Sequence, residues 1–333
     1  MKPERVVESL NRGLHAVLAE DPRVYLLGED LLDPYGGAFK ASRGLSTAFP
    51  DRVLTTPLSE QGFVGVGAGL ALAGDRPIVE IMFGDFIALA FDPILNFATK
   101  SVSMYGHRVP MHLVLRCPVG GNRAYGATHS QSLQKHFVGI PDLELYELTP
   151  FDDGAALLRR LLSLGRPAIL FENKEMYGQN VLRHGQVDEL FSSEVIDDDW
   201  IRVSSSSFTS PCPTLLVTPG GSFARTLAAA RRLFLELELE CEILVPSRLY
   251  PFAPEPIAER VVAAARVFTI EEGTAGGSWG EHVAHLLHQR LWSSLRGPVR
   301  TLTSKDSIIP SAPHLERQVL VQTDDIFNAV RGA

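Results

Sequence analysis

Short aliphatic runs alternate with longer stretches of helical period along almost the whole chain. VYLLGE (24–29), RPIVEIMF (76–83), MHLVLRC (111–117), DLELYEL (142–148) and PAILFEN (167–173) are nearly continuous in apolar residues. Strands buried on both faces read this way, and the helical stretches between them predict a parallel α/β sheet. An amphipathic helix opens the chain, and DDGAALLRRLLSLG is a second. FIALAFDPILNFATKSVSM (86–104) has helical length and period, with Pro93 either early in the helix or at a kink. After Asn173 the texture changes. The charged and then serine-rich stretch ending in VSSSSFTSPCP reads as a linker with little regular structure. The alternation then resumes with TLLVTPG (214–220), CEILVPS, RVFTIEE and PVRTLTS as strands and three helices between them. The predicted organisation is an α/β domain over 1–185, a linker over 186–213 and a second α/β domain over 214–333.

The 333 residues are 45% hydrophobic and 21% charged, which excludes wholesale disorder. A net charge of −8 argues against binding nucleic acid through its phosphates. Cys117, Cys212 and Cys241 form no paired spacing, so a reducing compartment is expected. The first residues lack the apolar core of a signal peptide, and no apolar run is long enough to span a bilayer. A cytoplasmic protein without membrane contact is expected.

Several chemistries are missing. There is no P-loop, no G-x-S-x-G elbow and no H-E-x-x-H. GVGAGLALAG (65–74) fails the dinucleotide spacing, because Leu70 stands where a small residue is needed, and it follows no strand. A helix packed closely through small residues is the simpler reading. His282, His285 and His288 share a helix face without any carboxylate or thiolate beside them, so no metal site is expected.

Three segments remain. TTPLSEQGFVG (55–65) places Ser59 as a helix cap with Glu60 in the first turn. VEIMFGDF (79–86) ends a strand in a Gly-Asp corner with Met82, Asp85 and Phe86. RCPVGGNRAYGATHSQS (116–132) is a long loop after a strand, holding Arg116, His129, Ser130 and Gln131. Long loops at strand carboxyl ends are where α/β proteins place ligands.

Taken together, TPLSEQGFVGVGAGLALAG, RPIVEIMFGDF and GATHSQS resemble the beta subunits of the thiamin-diphosphate-dependent 2-oxo acid dehydrogenases. The likeness continues through GEDLLDPYGGAFKASRGL, FENKEMYG, ILVPSRLYPF, TIEEGTAGGSWGEHVA and DDIFNAV, so it covers nearly the whole chain. It implies two doubly wound α/β domains, a transketolase-like pyrimidine-binding domain and a transketolase C-terminal domain. It implies that Glu60 contacts the cofactor's aminopyrimidine, that Met82 and Phe86 pack against that ring, and that His129 works at the substrate. A carboxyl group on the far ring nitrogen would favour the imino tautomer that deprotonates the thiazolium carbon. His129 could stabilise a developing alkoxide or serve transfer to a lipoyl arm. Asp85 and Arg116 read as corner and loop supports.

No Gly-Asp-Gly occurs in the chain, so the diphosphate and its Mg²⁺ lack their usual cradle. The resemblance implies that an alpha subunit supplies it, in an assembly of two alpha and two beta chains, with a lipoyl acyltransferase core as a further partner. Departures from the pattern lie at Leu164-Gly165-Arg166-Pro167, where relatives that bind potassium carry a carboxylate, at Asn122 to Tyr125, and at His136 in place of an aromatic residue. No potassium is expected here, with Arg166 replacing part of its charge. The leading expectation is decarboxylation of a 2-oxo acid with acyl transfer to a lipoyl group. The alternative is a carboligase that forms acyloins on an aldehyde acceptor. A scaffold without activity is disfavoured by the presence of both Glu60 and His129.

Overall fold

The structure, a computed structural model, describes residues 3–206 and 212–333. By their internal packing these form two units. The first takes the chain up to Val119, then Gly139–Tyr146 and Asp152–Val181; the second takes Gly120–Val138, Glu147–Phe151 and everything from Leu182 onward.

The first unit is built on strands β1 (Val24–Gly28), β2 (Val53–Thr55), β3 (Arg76–Glu80), β4 (Val114–Val119), β5 (Glu144–Glu147) and β6 (Ala168–Asn173), in the order β5-β6-β4-β3-β1-β2. β2, β1, β3, β4 and β6 pair in parallel. Every residue of β4, β5 and β6 is buried, which explains the mainly apolar texture of β4 and β6, while β5 also buries Glu144 and Glu147. The helix Val6–Glu20 buries Val6, Leu10, Leu14, Val17 and Leu18 along one stripe. It meets the helix Gly154–Ser163 through glycines: a Cβ on Gly13 would lie 2.5 Å from the Gly154 carbonyl carbon. The helix Glu60–Leu72 confirms the small-residue reading of 65–74 at one point, since a Cβ on Gly67 would meet Val79 at 2.6 Å.

The stretch 86–104 is helical but not one regular helix. A 3₁₀ segment at Gly84–Ala90 is followed by a π-helical turn at Pro93–Ala98 and a short α turn at Thr99–Ser101. Pro93 opens the second piece, where its missing N–H costs nothing.

The second unit carries β7 (Gly185–Gln186), β8 (Phe191–Asp197), β9 (Trp200–Ser205), β10 (Thr214–Val217), β11 (Cys241–Pro246), a short β12 (Arg248–Tyr250), β13 (Arg266–Thr274) and β14 (Val299–Ser304). Its sheet runs β14-β13-β10-β11-β9-β8-β7. The first four strands are parallel, and β9, β8 and β7 continue the sheet antiparallel. The expected linker is therefore corrected: Phe191–Asp197 and Trp200–Ser205 within 186–213 are strands of this sheet. Phe191, Trp200 and Val203 are buried, and Phe191 and Val203 join the core formed with Leu216, Phe223, Leu233, Ile243 and Phe268. Ser193, Ser204 and Ser205 are buried alongside Phe191 and Val203 while Val195 is exposed, so the apolar pattern is broken and their signal resembles a loop. Residues 207–211, in the serine-rich run, lie outside the described residues.

The domain expectation also differs at 120–138. That loop was read with the first domain, yet it packs within the second unit, where Glu272 receives the Gly121 N–H at 2.7 Å and the Ser132 hydroxyl at 3.2 Å. All three cysteines are buried and unpaired, and burial pushes the Cys212 and Cys241 thiols up to about 11 and about 12. Among the described residues, no helix is long and apolar enough to cross a membrane.

Candidate functional site

Glu60 opens the helix Glu60–Leu72 and is only 8% exposed. Ser59 occupies the cap position, but its side chain makes no capping hydrogen bond, a departure from the expected cap. The helix packs on β3 and on the Gly84–Ala90 turn, which carries Phe86, and Met82 lies in the short link between the two. Both are half-buried. Phe86 lies edge-on to Phe83 at 6.2 Å, and Phe83 lies edge-on to Phe39 at 5.3 Å. The apolar wall is therefore a row of rings. Phe39 and Phe83 went unnoticed in the sequence because single aromatics in a loop and at a strand end carry no periodicity.

A second carboxylate accompanies Glu60. Glu29, at the carboxyl end of β1, is 4% exposed, and its Oε1 is buried without a hydrogen-bond partner. Burial first, and then the charges of Glu60 and Asp30, push Glu29 up to about 7. Two buried carboxylates with an unsatisfied oxygen between strand end and helix start are costly unless something polar uses them. These residues fit an aminopyrimidine, whose ring nitrogen can accept from a protonated carboxyl and whose amino group can donate to a carboxylate oxygen.

Arg116 lies on β4, not in the loop, and is fully buried. It pairs with Glu172 and Glu80; Ser42 also donates to Glu80, and Tyr177 to Glu172. Burial alone would lower the guanidinium's pKa, but the Glu172 and Glu80 charges outweigh it and raise it. Arg116 is thus a support behind β3, as Asp85 is buried at the corner that follows it. Arg166 pairs with Glu144 at 3.1 Å and with Asp142 at 3.7 Å. A guanidinium held between two carboxylates does not fit a potassium ion, so none is assigned there. Among the described residues no group of three or more His, Cys, Asp or Glu side chains is arranged to hold a metal ion.

In the second unit, the loop with His129 is tied down at several points, most of them on one glutamate. Glu272, at the end of β13, accepts from Gly121 N, Asn122 Nδ2, Ser132 Oγ and, at 2.6 Å, Arg225 Nη2. Glu316 accepts from Ala124 N at 3.0 Å. Asn122 and Ala124 adopt left-handed φ of 60° and 59°, a backbone cost that these contacts offset. His129 itself is half-buried, with Nδ1 3.1 Å from the Thr128 hydroxyl. Gln134 donates at 2.8 Å to Glu147, which also accepts from Gly221 N. Burial pushes Glu147 up to about 7. A cavity of about 540 Å³ lies beside the loop, lined among others by Gln131, Lys135, His136, Glu272 and Asp306. Glu272 was missed in the sequence; the signal was a paired glutamate at the end of an otherwise apolar strand.

Two α/β units, one mainly parallel and one with an antiparallel extension, define a two-domain α/β protein. The first matches the model of the transketolase pyrimidine-binding domain over residues 5–179, and the second that of the transketolase C-terminal domain over 212–326. The chain belongs to the transketolase-like family, among the beta subunits of the thiamin-diphosphate-dependent 2-oxo acid dehydrogenases. It is 30% identical to the mitochondrial pyruvate dehydrogenase E1 component subunit beta-1 of Oryza sativa subsp. japonica, over 100% of this chain and 87% of that protein. It is 30% identical to the pyruvate dehydrogenase E1 component subunit beta of Rickettsia felis, over 98% and 97%. A solved split-gene transketolase, an inactive beta4 tetramer, shares the fold with a TM-score of 0.74 at 20% identity, over 99% of this chain and 98% of that one.

Proposed function

We propose that the chain is the beta half of an enzyme that decarboxylates a 2-oxo acid and passes the acyl group to a lipoyl group. Pyruvate is the 2-oxo acid that the relatives' names carry. The observation that carries the reading is the buried Glu60 at a helix start with Glu29, raised to about 7, beside it. Bound thiamin diphosphate supplies a carbon nucleophile and an electron sink.

The Glu60 carboxylate would accept from the far nitrogen of a bound pyrimidine, and Glu29, raised by burial and by the Glu60 charge, would keep a proton within the same buried pair. Met82, Phe86 and the rings of Phe83 and Phe39 exclude water from that face. His129 holds or gives a proton at the substrate carbonyl oxygen. The alpha subunit holds the diphosphate and Mg²⁺, a reading supported by the lack of Gly-Asp-Gly in the sequence. Leu58, Val66 and Leu89 are 81%, 56% and 59% exposed and supply apolar surface near Glu60's helix for that subunit to cover. We place the assembly of two alpha and two beta chains in the cytoplasm, on the strength of three unpaired thiols, although some relatives are named as mitochondrial or chloroplastic.

The test is a titration of Mg²⁺ and thiamin diphosphate against this chain alone and against its complex with the alpha subunit. Tight binding in the complex only, with 2-oxo acid turnover lost in Glu60→Gln, is expected. Tight binding by the chain alone would overturn the shared site. Turnover with aldehydes but not with lipoyl domains would replace the acceptor.

A further inference from the structure

The Lys135 ammonium sits against four oxygens: Thr274 O at 3.1 Å, Thr274 Oγ1 at 2.9 Å, Ala275 O at 3.3 Å and Gly276 O at 3.1 Å. None is a carboxylate. Three successive backbone carbonyls and a hydroxyl are the hard, neutral ligands that a monovalent cation takes from a protein. The turn that presents them is fixed by Gly276 and Gly277, with left-handed φ of 88° and 67° that a side chain rarely adopts. A lysine at an ordinary surface does less: Lys40 Nζ donates to one carbonyl, that of Tyr35.

We propose that Lys135 is a tethered cation, its ammonium filling an oxygen cage at Thr274–Gly276 and thereby fixing the loop that carries His129. The segment 272–276 grips that loop at both ends. Glu272 takes Gly121 at its start and Ser132 near its finish, and the cage takes Lys135 three residues later. The cage itself is independent of any catalytic reading. Its positioning role rests on the reading that His129 works at the substrate. The adjoining cavity is lined by Lys135 and Thr274, so a small solute can reach the oxygens once the side chain is shortened. The ligand class is a monovalent cation able to donate hydrogen bonds, ammonium or methylammonium, with potassium as the bare-ion counterpart.

The experiment uses the full chain and Lys135→Ala, melted at constant ionic strength in tetramethylammonium, methylammonium or potassium chloride. The variant should melt about 2–4 °C below the parent in tetramethylammonium and regain most of that in methylammonium. The parent should not respond. Equal melting in all salts, or equal restoration by tetramethylammonium, overturns the cage. Should the variant not fold, competitive acetylation of the parent decides. Lys135 should react about tenfold more slowly than exposed Lys305, because its ammonium must leave four acceptors to become nucleophilic. Equal rates overturn the proposal.

In the complex with the alpha subunit, Lys135→Ala should lower kcat about tenfold with little change in KM, and methylammonium should restore it. Restored melting with unchanged turnover overturns the positioning role, provided His129→Ala is inactive. A fully active His129→Ala instead overturns the reading of His129 and leaves the cage standing.

Discussion

Arg116 and Glu172 meet through two parallel contacts sealed from water, Nε to Oε1 and Nη2 to Oε2, each 2.8 Å. Glu80 takes the remaining arm of the guanidinium. The pair is geometrically strong because a planar fork meets a planar carboxylate. Removing one partner leaves buried charge uncompensated. Arg116→Met should therefore cost about 3–5 kcal/mol in chemical denaturation, because two carboxylates lose their cation. Arg116→Lys should recover only part, since one ammonium cannot repeat the fork. A denaturation midpoint unchanged in Arg116→Met would sink this account of the β3–β4–β6 layer.

Glu147 makes stability depend on pH in the direction opposite to most carboxylates. Burial raises it from 4.5 to about 7, so between those values the folded chain holds a proton that the unfolded chain has released. Its contribution is complete below about 4.5 and is lost as pH rises through about 7. Glu147→Gln removes that dependence. Its oxygen can still accept from Gly221 N, and Gln134 can turn its amide to offer an oxygen to the new amide. The parent-minus-variant stability difference should fall as pH rises from 5 to 8 in thermal melts. A flat difference would count against the buried proton.

Glu29 provides a check on the first unit. After burial, the Glu60 charge is the next largest cause of its raised value near 7. Glu60→Gln should bring Glu29 down, yet leave it above the ordinary 4.5, because burial persists. Carboxyl-carbon NMR titration of glutamate-labelled chain reads the midpoint directly. No movement would mean that the two carboxylates are not coupled.

Gly154 tests the helix crossing. Its added Cβ would meet the Ser9 carbonyl oxygen and lie 2.9 Å from the Leu10 Cα, both backbone atoms that cannot swing aside. Gly154→Ala should cost about 1–3 kcal/mol by overpacking, despite alanine's better helix propensity. A variant as stable as the parent would show that the two helices slide apart without penalty.

The strands of the parallel sheets were legible because burial on both faces writes an unmistakable run, as in VLRCPV and AILFEN. Glu60 was legible through the segment around it, since a carboxylate in a helix's first turn follows a recognisable pattern. Glu29 was not, because its burial depends on residues far away in sequence. β8 and β9 were missed since buried serines (Ser193, Ser204, Ser205) and an exposed Val195 break the apolar alternation that marks a strand. Lys135 carries no signal in its neighbourhood along the chain. Its meaning comes from a glycine turn some 140 residues away, a relationship that no local pattern encodes.

The chain passes from one unit to the other after Val119, Val138, Tyr146, Phe151 and Val181. No single cut yields two complete folding units. A fragment beginning at Leu182 would keep Glu272 but lose Gly121 and Ser132, which donate to it. The same holds for inheritance. A crossover between related genes at the apparent boundary would pair a loop from one parent with the strand end of another. Only exchanges that keep 120–138 and 272–276 together preserve the fit, so these two stretches travel as one trait although more than a hundred residues separate them.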